Sequence, residues 1–323
     1  MGRYLIRQSL FQVLVLWIIS VVTFFIFVKL PAGDPARRFA GRGAPPEVVR
    51  QVRHNLELDR PVLFQYERFA SGLIPWPGLF LNDNVYYSWE NHVSVRSKIA
   101  QTFPVTMALT IGSVVLWLLI GVPIGILSAL RRRSWADRAS MMFALFGVSM
   151  PEFWLGMILI YVFFYKLRWA PPTGFDIGDS VWQSVLKGKF LLAWITLAVT
   201  SAAYYVRIVR GNMLETMSED YIRTARAKGL PERTVTYKHA LRASLTPVIT
   251  MLGLDIAALL GGVVITENVF SLPGLGVYAL QSLYNQDFPA VMAVTEVAAI
   301  FIVVANLIVD VIYAFLDPRV RYS

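Results

Sequence analysis

The chain has 323 residues, 56% of them apolar and 16% charged, where an ordinary soluble domain has about 45–50% and about 25%. A water-soluble fold of this composition would leave much apolar surface uncovered, so the sequence describes a lipid-embedded protein; with no Cys and three scattered His (His54, His92, His239), it excludes a disulfide scaffold, a thiol nucleophile and a thiolate metal site, and speaks against a His-built one. The net charge of +9 does not make it a nucleic-acid binder, because the basic residues sit between long apolar runs, where inside-positive loops and lipid headgroups account for them.

A bilayer core about 30 Å thick takes about 20 helical residues to cross. Residues 10–30 are the first such run, with Arg3 and Arg7 in front of it. A cleaved leader would have a shorter apolar core and a small-residue cleavage site. Val28-Lys29-Leu30-Pro31 is no such site, so 1–30 is expected to be a retained transmembrane helix. Residues 31–99 are too long and polar for a simple loop and form an extracytoplasmic insert. Within it, Pro45-Pro46 leads into a helix through Val49, Val52 and Leu56, and Pro61 opens another through Leu63, Tyr66 and Phe69, closed by Gly72. The insert reads equally as a docking cap and as a structural collar.

Five further apolar runs follow at 103–130, 139–165, 190–209, 247–266 and 290–316. The sequence therefore predicts an all-α membrane protein with six spans. Gly112, Gly121 and Gly125 with Pro123 in the second, and Gly253, Gly261 and Gly262 in the fifth, permit close helix contact. Arg131, Arg132, Arg133 and Arg138 crowd the connection after the second span. Arg207, Arg210, Arg223, Arg226, Lys228, Arg233, Lys238 and Arg242 fill the one after the fourth, and Arg319 and Arg321 follow the sixth. With Arg3 and Arg7 these regions share one side, the cytoplasm, while 270–289 has no Lys or Arg. Both termini are then cytoplasmic, with 317–323 a short tail.

The loop at 210–246 holds the most informative segment, 218–231. Ser218 is suited to cap a helix whose first turn carries Glu219 and Asp220, while Gly229 fits a left-handed end and Pro231 stops continuation. Ala225 and Gly229, four apart, leave one face of this stub helix nearly flat. Such a helix suits the groove of another protein. A membrane-surface helix would want larger apolar anchors than Tyr221 and Ile222.

DYIRTARAKGLPERTVTYKHALRASLTP resembles the coupling-loop signature of binding-protein-dependent ABC-transporter permeases, in the form used by the dipeptide/oligopeptide/nickel branch. The general signature begins Glu-Ala-Ala, with Gly four residues after the second Ala. Here Arg223-Thr224-Ala225 precedes Gly229, similar to the peptide branch's own version. PAGDPA, LDRPVLFQYERF, TFPVTMALT, SMPEFW, TENVFSLPGLG and LDPRVRYS carry the similarity along the chain. PWPGLFLNDNVYYSWENHVSV departs from the short Gly-Asp-Leu-Gly stretch usual in relatives.

The resemblance implies a type I ABC importer permease in a bacterial or archaeal plasma membrane, with a five-helix core over 100–316. A homologous second permease, two ABC ATPase subunits and an external solute-binding protein would be its partners. Asp220, Tyr221, Thr224, Ala225, Lys228, Gly229 and Leu230 would then couple to the ATPase. The chain has no G-x-x-x-x-G-K-[ST] phosphate loop, so ATP and Mg are expected on the partners, with no catalytic residue, cofactor or metal here. The cargo would be di- or oligopeptides, with nickel or another small solute as the alternative.

Charged residues inside spans usually face a cavity or a partner. Asp255, deep in the fifth span, is suited to meet a peptide ammonium or a basic side chain, or else pairs structurally with the second permease. Glu152, after Pro151 at a helix break, and Glu296 share that choice, and Asp310 reads as structural. Phe146, Phe153 and Trp154 read as packing or gate residues rather than a cofactor site. An ion-coupled secondary transporter would show internal repeats, and an intramembrane hydrolase a nucleophile–base pair or zinc motif; neither is visible.

The topology is testable because the chain is Cys-free. A Cys placed at Arg132 or Ser218 should resist an impermeant thiol reagent on intact cells, and one at Asn84 should react. Labelling of position 132 or 218 from outside would overturn the six-span arrangement.

Overall fold

The structure is a computed structural model that describes residues 2–29, 34–41, 43–72, 87–91, 93–176, 178–260 and 263–316. Asn84, His92, Gly261, Gly262, Arg319 and Arg321 lie outside the described residues, as does most of 75–89.

Helix α1 (Gly2–Phe24) continues as a π-helical turn, Phe25–Lys29. The insert contributes α2 (Pro35–Ala40), α3 (Pro46–Asn55) and α4 (Val62–Ser71). Proline stands at the start of α3 and immediately before α4, where no intrahelical N–H is lost. Next comes α5 (Val95–Leu130), capped by the Ser94 hydroxyl, which accepts the Ser97 N–H at 3.3 Å. Helices α6 (Trp135–Ser149) and α7 (Glu152–Leu159), the latter extended by π-helical Ile160–Lys166, meet at Met150–Pro151 with a bend of 103°. Pro151 supplies the break expected there.

A short α8 (Val181–Leu186) precedes α9 (Leu191–Ser218), which leads into α10 (Asp220–Ala227). Then α11 (Glu232–Thr234), π-helical Val235–Ala240 and α12 (Leu241–Ser244) run into α13 (Thr246–Leu260) across a 44° bend. Finally come α14 (Val264–Val269), α15 (Leu275–Tyr284) and α16 (Phe288–Leu316).

Among the described residues four helices are long and apolar enough to cross a membrane: Arg7–Lys29, Val95–Leu130, Leu191–Ser218 and Phe288–Ile308. The two bent pairs bring the number to six if each is one span. The fifth run differs from expectation, because α13 ends at Leu260 and Val264–Val269 is a separate helix. Gly261-Gly262 between them is a pair of weak helix formers, and Val263 has left the helix with ψ 53°.

The spans gather on α5 and α9. A Cβ added at Gly121 would lie 2.9 Å from Tyr205 Cβ, and one at Gly125 2.7 Å from Val209 Cβ. Trp194 lies over Gly112 and donates its indole N–H to the Ala108 carbonyl at 3.0 Å. Helix α6 joins through Gly147, where a Cβ would fall 2.4 Å from Ala203 Cβ. These glycines let the helices pack at a distance no larger residue allows.

The insert is fastened to spans. The Tyr66 hydroxyl meets Ser20 of α1 at 2.9 Å, and its ring lies 5.5 Å from that of Phe24. Asp287, just before α16, accepts the Ser88 hydroxyl at 2.5 Å and the Trp89 N–H at 3.0 Å. Glu267 of α14 closes the first turn of α15: it accepts the Val277 N–H at 2.9 Å and the Thr106 hydroxyl at 2.6 Å, and that same hydroxyl accepts the Leu275 N–H at 2.8 Å. Burial pushes the Glu267 carboxyl above the usual range, and these donors pull it back.

A Cβ at Gly274 would sit 2.1 Å from the Glu267 carboxylate oxygen Oε1. Gly274→Ala should therefore lower stability by about 1–3 kcal/mol, the usual scale of overpacking, with new protease cleavage in the outer loop. A wild-type melting temperature for Gly274→Ala would contradict this clamp.

Candidate functional site

Eight residues cannot hold a helix in water by themselves, so α10 depends on what it packs against. Ile222 is 0% and Ala225 7% exposed, both within one buried cluster with Ala129, Met213, Val235 and Ala240. Its C-terminus is closed by the Gly229 N–H on the Arg226 carbonyl at 2.9 Å and the Leu230 N–H on the Ala225 carbonyl at 3.4 Å. Gly229 takes φ +74° there, the left-handed end its sequence position predicts. Beyond it the Arg226 guanidinium grips Glu232 through Nε at 3.1 Å and Nη2 at 2.7 Å.

Two expectations change. Ser218 does not cap α10: it ends α9, its hydroxyl donating to the Glu215 carbonyl at 2.7 Å, and Glu219 takes the cap position with no side-chain bond. The face bearing Ala225 is not presented outward, since Ile222 and Ala225, three apart, turn together into the chain's own packing. The region around Gly229 is open within this chain, with nothing inside 4 Å of an added Cβ. What α10 presents is Asp220, Tyr221, Arg223, Thr224 and Lys228, with Leu230 just beyond. Burial, with the nearby Glu219 carboxylate, pushes the Tyr221 phenol above its ordinary pKa, so it remains a neutral donor.

The helices that seat α10, α5 and α9, also hold a group the sequence did not reveal. Asp137, at the start of α6, is buried and accepts Arg210 Nε at 2.7 Å and Nη2 at 3.0 Å, the Ser128 hydroxyl at 2.6 Å and the Arg133 N–H at 2.8 Å. Its one visible signal was an acid among the arginines of a basic loop.

Of the residues singled out within the spans, two hang on α9. Asp255 of α13 accepts the Tyr205 hydroxyl at 2.6 Å, so its partner is within the chain and neutral. Glu152 lies just past the 103° bend within hydrogen-bonding reach of Thr200, and Phe153 beside it is exposed. Glu296 is elsewhere, 2% exposed and turned toward Thr23 of α1, with one carboxylate oxygen unpartnered. The described structure thus gathers Asp255 and Glu152 along α9 and places Glu296 toward α1.

Residues 121–322 match the family described as binding-protein-dependent transport system inner membrane component, and residues 1–110 match the N-terminal part of such membrane components. The glutathione transport system permease protein GsiC of Escherichia coli (strain K12) is 38% identical over 323 residues, 100% of both chains. The protein of that name from Shigella boydii serotype 4 (strain Sb227) is likewise 38% identical, again over 100% of both chains. The MetNI methionine ABC transporter, in inward-facing conformations, is similar in fold, with TM-score 0.50 and 18% identity over 68% of this chain and 97% of that one. By its spans, its fold and these matches, the chain belongs to the binding-protein-dependent transport system inner membrane component family, as a type I ABC importer permease subunit of the dipeptide/oligopeptide/nickel branch.

Proposed function

We propose that this chain forms half of the translocation path for di- or oligopeptides, beside a homologous second permease. An external solute-binding protein delivers the cargo, and two ATPase subunits carrying ATP and Mg dock from the cytoplasm, where both termini also lie. The observation that carries the docking reading is α10 itself: its inward face is fixed by Ile222 and Ala225, and its outward face offers Tyr221, Thr224 and Lys228, with Leu230 beside them. A peptide cargo is favoured by the 38% identity to permeases named for glutathione transport. Asp255 and Glu152, hung on α9, are the residues proposed to face the cargo's ammonium or basic groups, with Phe153 beside them; Glu296, enclosed near α1, would act on the path through packing.

The purified chain should hydrolyse no ATP, and turnover with transport should appear only when ATPase subunits are reconstituted with it. Vanadate-sensitive hydrolysis by the polypeptide alone would refute this. Mass spectrometry of ligands retained by the partner binding protein should find peptides, and a retained metal ion or sugar would displace the peptide reading.

Gly229→Val places a branched Cβ at φ +74°, a strain of about 1–3 kcal/mol. That is small beside an interhelical membrane fold but comparable with a docking bias, where about 1.4 kcal/mol is tenfold. Membrane abundance should be normal and ATPase association about tenfold weaker. If Gly229→Val transports and binds ATPase subunits as the unaltered chain does, α10 is not the docking element.

A further inference from the structure

The base of the third span is tied to the structure that seats α10. The four donors to Asp137 come from three places: Ser128 at the end of α5, the Arg133 N–H in the turn after it, and Arg210 on α9. Arg133 adopts φ +66° in that turn. Ala129 is next to Ser128, and Met213 is one turn beyond Arg210; both belong to the buried cluster that takes in Ile222 and Ala225 of α10. One compact knot therefore has α10 on one side and the first turn of α6 on the other.

From that knot α6 runs 15 residues to Ser149. It is held against α9 near its far end, where Gly147 meets Ala203 and the Val199 carbonyl. Immediately beyond, the chain turns through 103°, and Glu152 and Phe153 follow. The joint at the near end is bidentate. A single hydrogen bond acts as a pivot, whereas a guanidinium fork on a carboxylate also fixes the angle between the groups. With one contact at each end, α6 can neither separate from α9 nor swivel on it.

We propose that Asp137 and Arg210 are positioning residues that make the third span follow α10, so that docking at α10 displaces the Met150–Pro151 bend with Glu152 and Phe153. This rests on α10 being the docking element. Cytoplasmic closure thereby reaches the wall of the path through a rigid arm 15 residues long. A purely stabilising ion pair would instead set how much protein folds and leave the motion of α6 unchanged.

The Cys-free chain lends itself to paired spin labels in the full complex with its partner subunits. One label goes at Phe146 on the exposed side of α6 and one at Arg233 just beyond α10, both exposed. Their separation should be the same in the resting and the vanadate-trapped states. In Asp137→Asn a second separation should appear on trapping. Transport per ATP hydrolysed should fall about tenfold or more, the scale on which unpairing one partner of an enclosed ion pair is felt, while ATPase association is retained. Arg210→Lys, which keeps the charge but loses the fork, should lie between. Ser128→Ala, which removes one donor of four, should shift both readouts in the same direction and serves if Asp137→Asn does not reach the membrane.

A separation that changes between states in the otherwise unaltered chain would overturn the proposal. So would Asp137→Asn or Ser128→Ala protein at normal abundance with both readouts unchanged. Failure of the unaltered chain to bind ATPase subunits at all would remove the docking reading itself, and the proposal with it.

Discussion

Gly112, Gly121 and Gly125 lie along α5 where Trp194, Tyr205 and Val209 of α9 press in, close enough that any added Cβ would collide. Lipid supplies no hydrophobic drive between helices, so association rests on close packing of this kind. Several further elements then take their positions from α9. Its Tyr205 holds Asp255, its Thr200 reaches Glu152, its Arg210 grips Asp137, and its Met213 supports α10. An unbroken helix of 28 residues, Leu191–Ser218, spans these contacts and ends one residue before α10 begins.

The buried carboxylates divide by depth. Toward one end of the spans Glu267 and Asp287 accept backbone and hydroxyl donors from neighbouring elements, and toward the other Asp137 accepts four bonds. Burial drives Glu267 and Asp287 upward from the usual carboxylate range, and their donors offset this. A buried acid is tolerated when its lone pairs are used, and these three are used as fasteners. Within the spans, Asp255 has the Tyr205 hydroxyl, Glu152 is exposed, and one Glu296 oxygen is unpartnered. Each of these three has one hydroxyl partner, from Tyr205, Thr200 or Thr23, where the fasteners have two or more donors.

What the sequence disclosed and what it hid follow the range of the interactions. Apolar runs, the Pro151 break and the Gly229 end are local, and each is legible because a few adjacent residues decide it. The glycines of α5 were legible as small residues, though not which helix they would admit. The inward turn of Ala225 was written in the spacing of Ile222 and Ala225, but a lone stub helix gives too few turns for periodicity to settle its buried face. The Asp137–Arg210 pair joins residues 73 apart, and nothing in a single sequence distinguishes this arginine from its neighbours in a basic loop. Glu267 was hidden likewise, since a carboxylate just past an apolar run carries no mark of being enclosed.

An ionic joint at the base of α6, where apolar packing would also hold two helices together, has a mechanical rationale. A partner can shift the equilibrium between two states only by the difference in its affinity for them, and slack between the docking surface and the moving wall dissipates that difference. Apolar contact is non-directional, so a seat made by Ile222 and Ala225 alone resists separation better than rotation. The forked bonds of Arg210, with the Ser128 hydroxyl and the Arg133 N–H completing the carboxylate shell, add the missing resistance to rotation. The placement also lowers the desolvation cost. Set where α5 ends and α6 begins, Arg210 keeps 23% of its side chain exposed, so the pair avoids the full penalty of ions in hydrocarbon and still couples three helices. A stiff connection is thus made where solvent can share the charge, at one end of the 15-residue α6.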